Sequence, residues 1–294
     1  MSNNSIVSRA LYKGRQIAAF YRHSSTPLAL ALDSLKIKKS PFVAISRDGL
    51  KLSLLPRCGE SFTFYENMIE NNYLKNGIGL KPGSTVVDIG AHVGAFAVLA
   101  GSIIGAHGRV IAFEPVAKTF ERLKENVALN GLANVDCHRA AIDSREGTIT
   151  LQVPRKSGFA SAHVVKRIGD DGPNETVPCH TLDRVIKDFQ IDRINLLKVN
   201  CEGSEHGIFD TLSADAAARI DQIAMDVHPV GGVSTDRLYE RLATLGFMVR
   251  RGAVWVAFKA IPVLTLEIWT RFARTGPWDY IGLVLSETSA FSVV

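Results

Sequence analysis

Cysteine is scarce and unpatterned: Cys58, Cys137, Cys179 and Cys201 are the only four, and no Cys-x-x-Cys pair occurs. Scattered thiols argue against a clustered-cysteine site and fit free, buried side chains in a reducing compartment. No uninterrupted apolar run reaches the roughly 20 residues that a membrane-spanning helix needs. Met1 to Ser5 is polar, with no short apolar run and small-residue cleavage site behind it, so no signal peptide is expected and the expected location is the cytoplasm. Internal repeats and low-complexity segments are absent. Charge of one sign is not in large excess: the net charge is +5 and the pI about 9.0. That is too mild to read as a nucleic-acid footprint, and no nucleic-acid partner is expected.

Core material is ample. Hydrophobic residues make up 46% and charged residues 21% of 294 residues, enough for one large α/β domain with additions or for two small domains. The organising stretch is Val86 to Val98, VVDIGAHVGAFAV. Val86, Val87 and Ile89 are β-branched and suit a parallel strand covered on both faces. Gly90 lets the backbone turn tightly beside a ligand. Gly94 lets the next helix pack on the strand or admits the ligand, and Ala95, Ala97, Val98 and Leu99 continue as that helix. Such a loop gathers free N–H groups at a helix start, a usual seat for a nucleotide-like ligand.

The Gly-x-Gly-x-x-Gly pattern of dinucleotide loops is missing here, which disfavours a nicotinamide dehydrogenase. Asp88 before the loop repels a pyrophosphate, and His92 fills a position that would have to be small. The acid suits a ligand ending in a positively charged amino acid, which favours S-adenosylmethionine. Arg109 to Pro115, RVIAFEP, reads as the next strand. Its tip acid, Glu114, can accept both ribose hydroxyls, and Pro115 ends the strand. The expected cofactor-binding set is therefore Asp88, Gly90, Ala91, His92, Gly94, Glu114 and Pro115.

Together with LLKVNCEGSEHGIF at residues 196–209, these segments resemble the FkbM family of S-adenosylmethionine-dependent methyltransferases, over roughly residues 60 to 260. The resemblance implies a Rossmann-like, doubly wound α/β methyltransferase sheet with a closing antiparallel hairpin. It bounds a methyltransferase domain over 61–260; an N-terminal helical and β-hairpin extension over 1–60 and an aromatic, apolar tail over 261–294 lie outside the resemblance. It adds Glu66 as an acid facing the cofactor, and Ala141 and Asp143 as residues beside the adenine. It also implies a small-molecule or glycan acceptor: a sugar, a glycan or a secondary metabolite. Family members typically have aspartate where Asn200 stands. Asparagine hydrogen-bonds but neither acts as a base nor binds a cation strongly, so an aspartate-based or metal-assisted mechanism is not expected.

Periodicity supplies the remaining elements. Residues 6–21 predict a helix with Ile6, Val7, Ala10, Leu11, Ile17, Ala18 and Tyr21 on one side and Arg9, Lys13, Arg15 and Arg22 off it. Packing on its own domain is preferred to a peripheral membrane contact for this helix. Leu28 to Leu35 is a second helical piece, ending at Lys36, Lys38 and Lys39. Phe42–Ile45 and Leu50–Leu54 predict a hairpin, and Phe62–Asn76 a helix. Thr119–Asn130 is an amphipathic helix, Val135–Ala141 a third strand, Gly147–Val153 an antiparallel strand, and Pro154–Pro178 a long loop over the site. Ile194–Val199 and Ile223–Pro229 are further strands. Arg237–Leu245 is a helix, and Gly246–Arg251 with Val254–Phe258 make the hairpin. The tail is expected to pack on the domain, join a homodimer or touch a membrane, in that order.

Ligands of such sheets bind at the carboxyl ends of the strands, here Asp88, Glu114, Asp143, Asn200, Glu202, Asp226 and His228. Methyl transfer needs the nucleophile aligned, and a hydroxyl acceptor gains from a base. His228 is the expected base, because its unperturbed pKa is near neutral. Glu202 and Asn200 are expected to face the acceptor. A metal site from Glu202, Asp226 and His228 is conceivable, but no metal is assigned. The main reading is an O-directed methyltransferase. The competing one is a non-catalytic binder of S-adenosylmethionine or a nucleotide, acting within an assembly.

Overall fold

The computed structural model describes residues 3–153, 173–228 and 231–260. Two antiparallel helices, α1 (Asn3–His23) and α2 (Pro27–Ser34), precede a hairpin of β1 (Phe42–Ile45) and β2 (Lys51–Leu54). A short helix α3 (Glu60–Phe64) runs into a π-helical turn at Tyr65–Ile69 and a 3-10 turn at Asn72–Leu74. Next come β3 (Thr85–Ile89), α4 (Ala95–Ile104), β4 (Arg109–Phe113), α5 (Ala117–Leu129) and β5 (Val135–His138). A small sheet follows, of β6 (Ala141–Ile142), β7 (Gly147–Gln152) and β8 (Asn174–His180). The chain then returns through α6 (Leu182–Asp188), β9 (Leu196–Val199), α7 (Glu205–Thr211), α8 (Ala214–Ala218) and β10 (Gln222–Met225). It ends in α9 (Thr235–Thr244), β11 (Phe247–Arg250) and β12 (Trp255–Lys259).

The main sheet has the order β11-β12-β10-β9-β3-β4-β5. Its five strands from β10 to β5 are parallel, and β12 joins antiparallel between β10 and β11. This is the expected doubly wound α/β sheet with a closing hairpin. Successive residues face opposite sides of each strand. Val86, Val110 and Leu196 pack with Phe96 of α4, Leu123 of α5 and the extension's Leu52 and Phe20. Val87, Ile111 and Leu197 pack with Leu182, Phe209 and Leu242 of the later helices. The chain leaves β3 for β4 on one side and returns to β9 on the other, so the crevice where strand order reverses lies between β3 and β9.

Four sequence expectations need correction. The 62–76 helix is broken: the Glu70 N–H reaches the Tyr65 carbonyl five residues back, at 2.9 Å, and Asn71 and Asn76 adopt left-handed backbone. The third strand stops at His138, because Ala141–Ile142 leaves the main sheet and pairs with β8. Residues 174–178 of the expected loop are strand, held in register against β7; residues 154–172 lie outside the described residues, as does the 261–294 tail. Finally, α1 packs on its own domain as expected but through a different face. Gln16 and Phe20 are buried, whereas Leu11 and Tyr21 are 62% and 52% exposed. A buried hydrogen bond from Ser34 Oγ to Gln16 Oε1, 2.7 Å, and one from Lys13 Nζ to Ser34 Oγ, 2.8 Å, set that face.

Candidate functional site

Asp88 and Lys198 stand directly opposite each other on the paired strands β3 and β9. Both are buried, and Lys198 Nζ lies 2.8 Å from Asp88 Oδ1. Burial pushes the Asp88 pKa up, and the lysine opposes that shift. The same ammonium donates to the Gly90 carbonyl at 2.6 Å, tying the glycine loop to β9. Gly90 has φ +75°, and a Cβ there would overlap the carbonyl oxygen of Asn200. Only glycine lets the two strand tips close to this distance.

Beyond the tips lies a cavity of about 250 Å³. Its floor is Ile89, Gly90, Ala91 and His92 from the loop after β3, with Phe113, Glu114 and Pro115 from the end of β4. Ala140, Ala141 and Ile142 give it a wall of small and apolar side chains, and Asn200, Glu202 and Ser204 enter from the loop after β9. Tyr73, Glu66 and Asp226 close the other end, beside Lys198. His92 and Glu202 are both non-glycine residues in left-handed backbone, φ +53° and +56°. Such costly conformations concentrate at functional sites.

Glu114 is almost fully buried. Its Oε2 accepts from the His92 N–H at 2.9 Å and its Oε1 from the Val116 N–H at 3.0 Å. Each oxygen keeps a lone pair for a ligand hydroxyl. Burial raises its pKa to about 7, against the two backbone N–H groups that favour the charge. Glu66 is likewise raised to about 7, first by burial and then by the negative charge of Asp226. Asp226 is raised by burial, with the His228 charge opposing and Glu205 and Glu202 adding to the shift. Burial drops His92 to about 4, so its ring is neutral. Among the described residues the wall thus gathers four carboxylates, Glu66, Glu114, Glu202 and Asp226, against one ammonium that already faces Asp88.

The structure brings together Glu66, Gly90, Ala91, His92, Glu114, Pro115, Ala141, Asn200 and Glu202 of the expected residues. Four others are not on the wall. Asp88 is sealed beneath the loop by Lys198. Gly94 faces α5, where a Cβ would press on Leu123 Cδ1 at 2.7 Å, so it serves helix packing. Asp143 turns away and accepts from Ser204 Oγ at 2.9 Å. His228 is held at Nδ1 by the fully buried Glu205 at 3.0 Å, and its Nε2 lies 3.8 Å from Glu202 Oε1. The bond to Glu205, with further negative charge around it, raises the His228 pKa. Its position, not its basicity, sets it apart from the expected base: the ring is engaged by Glu205 and does not line the cavity.

Sequence reasoning missed Lys198 and Glu205, and gave no role to Tyr73 and none but a discounted metal site to Asp226. Lys198 had a signal: VVDIG and LLKVN each place one charge mid-strand among apolar residues, which asks for a partner. Glu205 also accepts from the Cys201 and Gly203 N–H groups at 3.1 and 2.9 Å, so one buried carboxylate shapes the whole loop after β9. Asn200 Nδ2 donates to Tyr73 Oη at 2.9 Å, joining the strand tip to the cavity's far wall. Arg122 of α5 pairs with buried Glu60 and donates to the Ser53 carbonyl at 2.7 Å. This anchors α3, and with it the turn carrying Glu66.

The chain is similar to known proteins. The chain is 27% identical over 197 residues to the 31-O-demethyl-FK506 methyltransferase FkbM of Streptomyces tacrolimicus, covering 58% of this chain and 75% of that protein. It is 26% identical over 225 residues to the AMB antimetabolite synthetase AmbE of Pseudomonas aeruginosa, covering 64% of this chain; the chain spans only 10% of that protein's length. A solved structure of an FkbM methyltransferase from Methylobacillus flagellatus aligns with TM-score 0.44 and 14% identity, over 85% of this chain and 60% of that one. Residues 88–249, more than half of the chain and the span from β3 to β11, match the methyltransferase FkbM domain. The chain belongs to the FkbM methyltransferase family.

Proposed function

We propose that the chain transfers a methyl group from S-adenosylmethionine to a hydroxyl of a small-molecule or glycan acceptor. The observation that carries this reading is the convergence of Glu66, Glu114, Glu202 and Asp226 on one cavity where, among the described residues, the single ammonium already faces Asp88. Such a wall repels a pyrophosphate and attracts a ligand bearing an ammonium and a sulfonium. The residues fit that cofactor. Glu114 would accept the ribose hydroxyls, Phe113 with Ala140, Ala141 and Ile142 would cover the adenine, and the acidic end would hold the cationic groups. When bound, S-adenosylmethionine supplies an electrophilic methyl group and departs as a neutral thioether.

The chain's own residues then have two tasks, alignment and proton removal. Tyr73, Asn200 and Glu202, which line the cavity, would position the acceptor hydroxyl, and alignment supplies much of the acceleration. Glu66 would take the hydroxyl proton: it lies on the wall, and a pKa near 7 matches a base working at neutral pH. His228, held by Glu205, would steady Glu202. The name of the Streptomyces tacrolimicus relative, a 31-O-demethyl-FK506 methyltransferase, supports an oxygen acceptor.

The test is label transfer from methyl-labelled S-adenosylmethionine to a panel of hydroxylated sugars, glycans and metabolites. Transfer should rise with pH through about 7, as Glu66 ionises, and Glu66→Gln should lower turnover roughly 10²-fold and flatten that limb. An unchanged pH profile in Glu66→Gln would remove it as the base. Tight cofactor binding without transfer to any acceptor would favour the non-catalytic binder.

A further inference from the structure

The extension carries features that methyl transfer does not use. Seven of the nine large apolar side chains exposed among the described residues precede residue 44. Leu28, Ile37 and Leu35 are 60%, 56% and 50% exposed. Leu28, Leu32 and Leu35 recur at i, i+4 and i+7, one outward stripe along α2 and its C-terminal cap, while Leu30, Ala31, Asp33 and Ser34 are buried behind it. Lys36, Lys38 and Lys39 follow at once. On the neighbouring α1 the outward stripe is Leu11, Arg15, Ala18 and Arg22, all exposed.

Charge is divided unevenly along the chain. Residues 1–59 hold ten Lys and Arg against two Asp, a net +8, and the remaining residues hold 24 against 27, a net −3. Of the two aspartates, Asp33 is buried and accepts the Arg57 N–H at 2.6 Å. That leaves Asp48 as the one exposed acid in this stretch.

We propose that this face docks on an anionic bilayer surface. Leu28, Leu35 and Ile37 would enter the headgroup boundary, and Lys36, Lys38 and Lys39 would meet the lipid charges, with Arg15 and Arg22 beside them. Apolar side chains interleaved with lysines match such a surface, where burial and charge act together. A second copy matches it poorly, because a two-fold contact would set the same basic patch against itself. The acidic remainder would turn the body of the protein away from the lipid.

Flotation of the full chain with vesicles tests this. Phosphatidylcholine vesicles containing about one third phosphatidylserine should carry the protein, pure phosphatidylcholine vesicles should not, and salt near 1 M should release it. Reversing Lys36, Lys38 and Lys39 to Glu should weaken partitioning by about tenfold or more. Leu35→Ser with Ile37→Ser should weaken it while the charge stays. Leu35, Lys36, Ile37 and Lys39 are exposed and Lys38 is half-buried, so the urea midpoint of each variant should match the parent and separate lost docking from lost folding. Absence of flotation, equal flotation on neutral vesicles, or indifference to both variants would overturn the proposal. A concentration-dependent dimer abolished by the same substitutions would overturn it in favour of a second copy.

Discussion

Lys198→Met is expected to destabilise the protein by about 3–5 kcal/mol, because it strands a buried carboxylate without its partner. Asp88 is fully buried and Lys198 nearly so, and the two face each other across parallel strands in mid-sheet. The double variant Asp88→Asn, Lys198→Met should recover most of that loss, since neutralising both members of a buried pair is often close to neutral. The pH dependence has a definite sign. Without the ammonium, the already raised pKa of Asp88 climbs further above its unfolded value. A raised acid costs nothing below its unfolded pKa, and its penalty grows as pH rises above that value until the folded pKa is passed. The single variant's deficit should therefore be smallest at the acid end, near the unfolded carboxylate pKa of about 4, and grow as pH rises above it, with the double variant showing little such trend. Urea unfolding across that range checks both statements. Equal stability of Lys198→Met and the parent at neutral pH would mean that the pair does not hold the strand tips together.

Glu114→Ala should weaken S-adenosylmethionine binding by about 10- to 100-fold, the equivalent of a lost charge-assisted hydrogen bond of roughly 1.5–3 kcal/mol. It removes the expected ribose acceptor and also leaves the His92 and Val116 N–H groups without theirs. Glu114→Gln keeps one acceptor oxygen and should fall between. In the parent, burial holds the carboxyl near a pKa of 7, and the ionised form is the better acceptor for ribose and the better counter-charge for a cation. Affinity should rise as pH passes about 7, and the bound state should hold fewer protons than the free one. Calorimetry in buffers of different ionisation enthalpy reads that proton release directly. Glu114→Gln should release fewer.

Much of this was written plainly in the sequence. VVDIG, RVIAFEP and LLKVN are short β-branched or aliphatic runs ending in a chemistry-bearing residue, and a covered parallel sheet asks for little else. Gly90 was legible because a strand-to-helix turn beside a ligand needs a missing side chain. Contacts between distant segments were not legible. Nothing near Gly94 in sequence says that Leu123 will press on it, and nothing near His228 says that Glu205 will capture its ring. The turn at Tyr65–Ile69 was hidden for another reason: a π-helical turn keeps the apolar content of a helix and changes only which carbonyl each N–H meets. In α1 the buried face centres on Gln16 and Phe20, because a polar hydrogen-bonded contact with Ser34 won over the more apolar stripe.

The most direct test of the account is a calorimetric titration of the protein with S-adenosylmethionine, with NAD as the control. The account predicts saturable binding of S-adenosylmethionine that strengthens from about pH 6 to about pH 8, as groups near 7 ionise. It predicts loss of that binding in Glu114→Ala and no response to NAD. Binding of NAD in preference, or S-adenosylmethionine affinity untouched by Glu114→Ala, would contradict it.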